Sequence, residues 1–215
     1  MNLGSVYYHN DYFSPDTQSV HGPDDVEGKD LLVFWGGGDI NPALYGERNV
    51  ASGYGSYMRD SVEVEVMLEA FKRKIPIVGI CRGAQLGCVM TGGKLYQDVN
   101  NHGSTHGMAI ADPFHRFGDS PIISTSSVHH QMMIPAKGCE IIAKAPGISS
   151  RRVRFSAKAS NQKETEEGQH DDPEVLFNPD KRILMIQGHP EFTPVTSSLT
   201  RFTVNLINHF FGLKL

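Results

Sequence analysis

A cysteine, a histidine and a glutamate in this chain stand where covalent chemistry at an amide carbonyl becomes possible. Cys81 lies in Gly79-Ile80-Cys81-Arg82-Gly83, at the end of the apolar run Ile75-Pro76-Ile77-Val78-Gly79-Ile80. Flanking glycines permit the sharp strand-to-helix elbow that presents a nucleophile. A thiol at the start of a helix meets unpaired N–H groups and the positive end of the helix dipole, both of which favour the thiolate. The N–H of Arg82 then points toward an oxyanion formed beside Cys81. By itself the pentapeptide fits a small buried cysteine at a tight strand end equally well. Cys88 and Cys139 lack these surroundings and read as core or surface thiols.

A thiolate requires a base, and the base requires an orienting group. The run Ile183-Leu184-Met185-Ile186-Gln187 leads into Gly188-His189-Pro190-Glu191. Pro190 stiffens the turn, and the i, i+2 spacing brings His189 and Glu191 to one side, where the carboxylate can hold the imidazole tautomer. A third turn, Gly36-Gly37-Gly38-Asp39, follows Leu31-Leu32-Val33-Phe34-Trp35 and offers backbone N–H groups as a second oxyanion contact. A phosphate-binding loop fits this stretch less well, because no Gly-Lys-Ser/Thr follows and no helix opens at once. Open α/β sheets gather their sites at the C-terminal ends of strands, which is where all three turns lie.

The elements that must position these residues are legible from periodicity. Continuous rather than alternating apolar runs predict parallel strands covered on both faces. Tyr57 to Lys74 reads as a helix with Val62, Val66, Ala70 and Phe71 or Lys74 along one stripe, acidic near its start and basic at its end. A second helix is expected over Arg82–Met90, stopping at Gly92-Gly93, and a third over Ser197–Phe211, ended by Gly212. Further strands are expected at Pro121–Ser126, Glu140–Lys144, Glu174–Phe177 and Ile183–Gln187, the last two joined by the turn Asn178-Pro179-Asp180. The polar stretch Arg151–Pro173 reads as an exposed loop or flap, and its Arg151–Arg154 cluster as a solvated face.

Composition narrows the function class. A chain of 215 residues with 39% hydrophobic and 20% charged residues suits one soluble domain spanning 1–215. The net charge of −4 gives no electrostatic case for nucleic acid or an anionic membrane. No apolar run approaches the roughly 20 residues that cross a bilayer. Met1-Asn2-Leu3-Gly4 lacks the features of a secretory signal, and three cysteines make no disulfide framework, so a cytoplasmic setting is expected.

Taken together, these residues resemble the class I glutamine amidotransferases, and within them the γ-glutamyl-hydrolase-like branch, peptidase family C26, which includes γ-glutamyl-γ-aminobutyrate hydrolase. Five blocks carry the resemblance, in family order: Gly36 to Pro42 with Leu44 to Glu47; Arg59-Asp60; Gly79 to Gln85; Ser127-Val128-His129-His130-Gln131; and Gln187 to Glu191. The resemblance implies an α/β fold of flavodoxin-like type, with a mostly parallel central sheet flanked by helices. It implies Cys81 as nucleophile, His189 and Glu191 as base and orienter, and the N–H groups of Gly37 and Arg82 as the oxyanion hole. It further implies that Gln85 contacts the glutamyl moiety, and that Ser127, His129, His130 and Gln131 belong to the loop that binds its α-amino and carboxylate groups.

The chain also departs from the family. Only His9 to Asp30 separates Tyr8 from Leu31, too little for a full βα unit, so a trimmed N-terminal sheet edge is expected. Ser126-Ser127 replaces the usual Asn-Ser, and Gly188 the usual aromatic before His-Pro-Glu.

No cofactor or catalytic metal is expected. His102 and His106 are spaced i, i+4, but the glycine-flanked stretch between them is a poor helix and no Cys or carboxylate cluster completes a zinc pattern. The expected activity is hydrolysis of a small-molecule γ-glutamyl amide through a glutamyl thioester. The alternatives are a glutaminase subunit that hands ammonia to a separate synthetase partner, and a non-catalytic binding module on the same fold.

Overall fold

The apolar runs become strands covered on both sides in a computed structural model that describes every residue except Tyr54. In chain order the elements are β1 (Leu3–Val6), β2 (Gln18–Val20), β3 (Leu31–Phe34), α1 (Tyr57–Arg73), β4 (Ile77–Ile80), α2 (Arg82–Met90), β5 (Lys94–Tyr96), β6 (Asp98–Val99), β7 (His106–Ile110), β8 (Ile122–Thr125), β9 (Met132–Ile134), β10 (Glu140–Phe155), β11 (Lys163–Asn178), β12 (Ile183–Ile186) and α3 (Ser198–Phe211). One ten-stranded sheet runs β2-β1-β3-β4-β12-β11-β10-β7-β8, with β6 paired to β10. From β2 to β12 neighbouring strands are parallel. Beyond β12 the sheet continues in antiparallel strands. The result is the α/β sheet with flanking helices that the sequence predicts.

Side chains alternate strictly across the parallel strands, and each set finds its own helices. Leu31, Val33, Val78, Ile80, Leu184 and Ile186 share a core with Leu199, Phe202, Leu206 and Ile207 of α3. Leu32, Phe34, Ile77, Ile183 and Met185 meet Val66, Met67 and Ala70 of α1 and Leu86 of α2. Burial on both faces explains why these strands read as unbroken apolar runs. Among the described residues no helix is long and apolar enough to cross a membrane.

The N-terminal edge is trimmed as expected. β2 adds to β1 in parallel, and a short 3-10 turn at Pro23–Val26 stands between β2 and β3 where a crossover helix is usual. Helix α1 begins at Ser56, whose side chain accepts from Arg59 N, and ends at Lys74 in the left-handed conformation. Its first turns bury Arg59, Asp60 and Glu63, so the apolar stripe is shared with charge.

The reading of Arg151–Pro173 as an exposed loop or flap is corrected. Residues on both sides of the 156–162 turn form the long antiparallel hairpin β10–β11, with Arg151 opposite Glu167, Arg152 opposite Glu166 and Arg154 opposite Glu164. Arg154 pairs with Glu164 and Glu166 at 3.0 and 2.9 Å. Opposite charges facing across strands stabilise an antiparallel pair without apolar alternation, which is why the pattern looked like loop. The expected strands Glu140–Lys144 and Glu174–Phe177 are the sheet-bound ends of this hairpin.

Candidate active site

The elbow is built by close backbone approach. Cys81 leaves β4 with φ 49° and ψ −105°, a positive-φ conformation rare for a residue with a side chain. It is held there by its own N–H donating to Ile186 O at 2.7 Å and by Gln85 N donating to its carbonyl at 3.0 Å. A Cβ at Gly79 would collide with Gly83 O, and one at Gly83 with Phe34 O. Only glycine at both positions lets α2 start directly over the strand ends.

Across the sheet, the turn after β12 presents His189. Its Nδ1 and Glu191 Oε1 are 2.7 Å apart, which leaves Nε2 for the Cys81 thiol. Burial alone would lower the His189 pKa, but the hydrogen bonds and charges of Cys81 and Glu191 prevail and raise it to about 9. The ring therefore holds its proton more tightly than an ordinary histidine, with Cys81 and Glu191 as its two partners. Ser126 Oγ accepts from His189 N at 2.8 Å and donates to His189 O at 2.9 Å, clamping the backbone that carries the ring. Phe192 stacks on the imidazole at 4.3 Å with the planes 3° apart. Gly188 has a reason too: a Cβ there would run into Thr125 Oγ1. A large aromatic at this position is incompatible with β8 passing so close.

Arg82 turns its side chain away from the thiol. The guanidinium is buried in ion pairs with Asp60 and Glu63, and Arg59 donates to Glu63 at 2.8 Å and to Trp35 O at 3.0 Å. Gly37 lies against Arg59, where a Cβ would strike Nη1. The elbow and the glycine loop are thus fastened to α1 through two arginines and two carboxylates. The Arg59-Asp60 block carried no assigned role in the sequence, because its purpose exists only once α1 crosses both turns.

A small cleft of about 150 Å³ opens beside Cys81 and is lined by Gly37, Gly38, Asp39, Gln85, Val128, His129, His130 and Gln131. The fold therefore brings Gly37, Gln85, His129, His130 and Gln131 together beside Cys81. Ser127 is not part of this lining, and its hydroxyl donates to His102 O at 2.6 Å. Gln85 is largely consumed within the protein, donating to Gln131 O at 3.0 Å. Gln131 in turn accepts from Ile40 N at 2.9 Å and donates to Ser52 Oγ at 2.8 Å. His129 Nδ1 donates to Gln131 O at 3.0 Å, and burial followed by the charge of His102 pushes its pKa down to about 3, so it is a neutral imidazole. Its Nε2 is buried without a partner among the described residues. His130 is half exposed and sits 2.9 Å from Asp39 Oδ1.

Three contributors escaped the sequence reading: Ser126, Asp39 and Gln187, whose Nε2 lies 3.8 Å from Cys81 Sγ. Asp39 and Gln187 stood inside recognised blocks, so proximity to the motifs was the available signal. In the sequence Ser126 stands out only as a departure from the family's Asn-Ser.

The peptidase C26 family matches residues 23–148, a span that holds the glycine loop, the elbow and the Ser127–Gln131 loop. The glutamine amidotransferase-like protein YvdE of Lactococcus lactis is 30% identical over 167 residues, covering 76% of this chain and 66% of the relative. Protein NtpR of Enterococcus hirae is 38% identical over 90 residues, covering 41% of this chain and 36% of the relative. The chain thus spans just under two thirds of the length of the first of these relatives and about a third of the second. Among solved structures, the glutaminase domain of Trypanosoma brucei CTPS with bound acivicin aligns with a TM-score of 0.59 at 14% identity, covering 100% of this chain and 95% of that one. A glutamine amidotransferase from Thermotoga maritima aligns with a TM-score of 0.55 at 13% identity, covering 97% of this chain and 81% of that one. At such identities the likeness is one of fold. Since the family match takes in more than half of its residues, this chain belongs to the peptidase C26 family, within the class I glutamine amidotransferase superfamily.

Proposed function

We propose that this protein hydrolyses the side-chain amide of a γ-glutamyl compound through a Cys81–His189–Glu191 triad. The observation that carries this reading is the hydrogen-bonded series from Glu191 through His189 to a thiol held at a strained elbow. Cys81 as thiolate attacks the amide carbonyl carbon. The backbone N–H groups of Gly37 and Arg82 receive the oxyanion, and protonated His189 gives its Nε2 proton to the departing amine. A water deprotonated by the same nitrogen then cleaves the thioester and releases glutamate. A free α-amino acid end is zwitterionic, and the cleft wall offers polar partners: the Asp39 carboxylate for the ammonium and the His130 ring as a hydrogen-bond donor for the carboxylate.

The test is glutamate release from a panel of γ-glutamyl amides, with free glutamine included and ammonia measured separately. Glutamate released with a larger amine supports the hydrolase; no turnover of any γ-glutamyl amide overturns it. A glutaminase that supplies a separate synthetase is favoured by one observation, the end-to-end alignment with a glutaminase domain. Ammonia from glutamine rising on addition of a synthetase would select that role.

The base also sets an alkaline limit. The folded-state value of about 9 exceeds the ordinary 6.5, so protonated His189 stabilises the fold fully below pH 6.5, and the contribution is lost as pH rises through about 9. Activity should fall over the same alkaline range, because the leaving amine needs that proton. Glu191→Gln removes one of the groups that raises the pKa, and should move this limb to lower pH in a kcat/KM profile. An unshifted limb would separate Glu191 from the base.

A further inference from the structure

Behind the loop that carries His129, three side chains from two segments of the chain converge on one point. They are His102, from the turn before β7; His106, the first residue of β7; and Glu174 of β11, and one ligand atom from each lies within 4.8 Å of the others. His106 Nε2 stands 2.9 Å from Glu174 Oε1, and His102 Nδ1 stands 3.9 Å from it. His102 and Glu174 are completely enclosed as side chains, and His106 is 11% exposed. The expectation that no carboxylate joins the two histidines is therefore corrected. Glu174 is supplied from a strand 68 residues further along the chain than His106, and helical spacing never enters.

The outer faces of both rings are occupied in a way that fixes what the inner nitrogens can do. His102 Nε2 donates to Asp172 Oδ2 at 2.8 Å, and Asp172 is in turn paired with Arg152. With Nε2 engaged by Asp172, Nδ1 is the ring atom of His102 that faces Glu174. His106 Nδ1 lies 3.3 Å from Ser104 O, which aims Nε2 at Glu174. Carboxylate or carbonyl partners on the far nitrogen are the outer support that metal-bound histidines carry. The inner side is undersatisfied: His102 Nδ1 and Glu174 Oε2 are buried with no hydrogen-bond partner among the described residues. A ring nitrogen and a carboxylate oxygen left buried without a partner beside the His106–Glu174 contact are the kind of unmet demand that a bound cation would satisfy.

We propose that His102 Nδ1, His106 Nε2 and the Glu174 carboxylate form a binding site for a divalent transition-metal cation of the zinc type. Two imidazoles and one carboxylate suit such an ion, whereas magnesium and calcium take oxygen ligands. Tetrahedral coordination at about 2.0–2.1 Å separates ligand atoms by about 3.3 Å. The two distances to Glu174 Oε1, 2.9 and 3.9 Å, bracket that value, and all three ligand atoms lie within 4.8 Å of one another, so the two imidazoles need to draw together for the site to close.

The site lies apart from the thiol yet supports the cleft wall. His102 O accepts from Ser127 Oγ at 2.6 Å and from His129 N at 3.2 Å, and the His102 and His129 rings are 4.8 Å apart. Glu174 O accepts from Gln187 N at 2.8 Å, two residues before His189. A bound ion would fasten the turn before β7 to β11 and hold the loop bearing His129 and His130 in place. Its role is structural.

Isothermal titration of zinc chloride into the untagged 215-residue chain tests this. Cys81→Ser serves as the background, removing the cleft thiol as a competing ligand. One zinc ion per chain, unopposed by excess magnesium and accompanied by a raised Tm, is the expected result. Adding Glu174→Gln or His106→Asn should weaken binding by more than the roughly 10–100-fold that loss of an outer partner costs. His106 is at the rim, so its variant remains informative if the Glu174 variant fails to fold. Absence of saturable binding, or equal affinity in the His106→Asn protein, overturns the proposal and leaves a metal-free ion-pair cluster.

Discussion

If Cys81 is the proposed nucleophile, replacing it by alanine is expected to lower glutamate release by roughly 10⁴- to 10⁶-fold, the scale on which loss of a covalent nucleophile acts. Nothing else in the cleft substitutes for it. Cys88 is fully buried, and burial raises its thiol pKa far above the ordinary value. Cys139 lies at the C-terminal end of α2, its Sγ 3.9 Å from Thr91 Oγ1. The variant should nevertheless fold, because the backbone bonds to Ile186 and from Gln85 do not involve the side chain. Cys81→Gly should even gain stability of about 1 kcal/mol, since glycine adopts φ 49° without steric penalty. Rate measurements paired with thermal unfolding check both halves. Near-normal turnover in Cys81→Ala would refute the thioester mechanism, and an unfolded variant would show that the thiol is part of the core instead.

Replacing Glu63 by alanine is expected to cost about 3–5 kcal/mol of stability, the penalty for stranding buried charge. For a chain of this length that corresponds to a drop in Tm of roughly 10 °C. Glu63 is fully enclosed and receives both Arg59 and Arg82. Its removal leaves two guanidinium groups facing the single carboxylate of Asp60. Because the quartet is sheltered from solvent, the loss should persist at high salt, unlike that of a surface pair. The same change should reduce kcat, since Arg59 holds Trp35 O at the head of the glycine loop and Arg82 stands next to Cys81. Urea unfolding with steady-state kinetics reads both effects. A shift within 0.5 kcal/mol, the ordinary size for a surface substitution, would show that the quartet is not a structural fastening.

The sequence by itself determined the elements that bury apolar surface and the turns that punctuate them. Leu31–Phe34, Ile77–Ile80 and Ile183–Ile186 were legible because a strand covered on both faces has no polar positions to hide. Helix Arg82–Met90 was legible because glycines bound it on both sides. Cys81, His189 and Glu191 were legible because each sits in a short local pattern at the end of such a strand. What only the tertiary structure decided are the partnerships between segments far apart in the chain. The hairpin from Glu140 to Asn178 is held by cross-strand charge pairs, and a charge run carries no record of the run it will face. The burial of Arg59, Asp60, Glu63 and Arg82 depends on where α1 crosses the elbow. His102, His106 and Glu174 form a cluster only because β7 and β11 lie to either side of β10 in one sheet. Local physics is written in neighbouring residues; the polar sites depend on long-range placement, which the apolar pattern enforces without displaying.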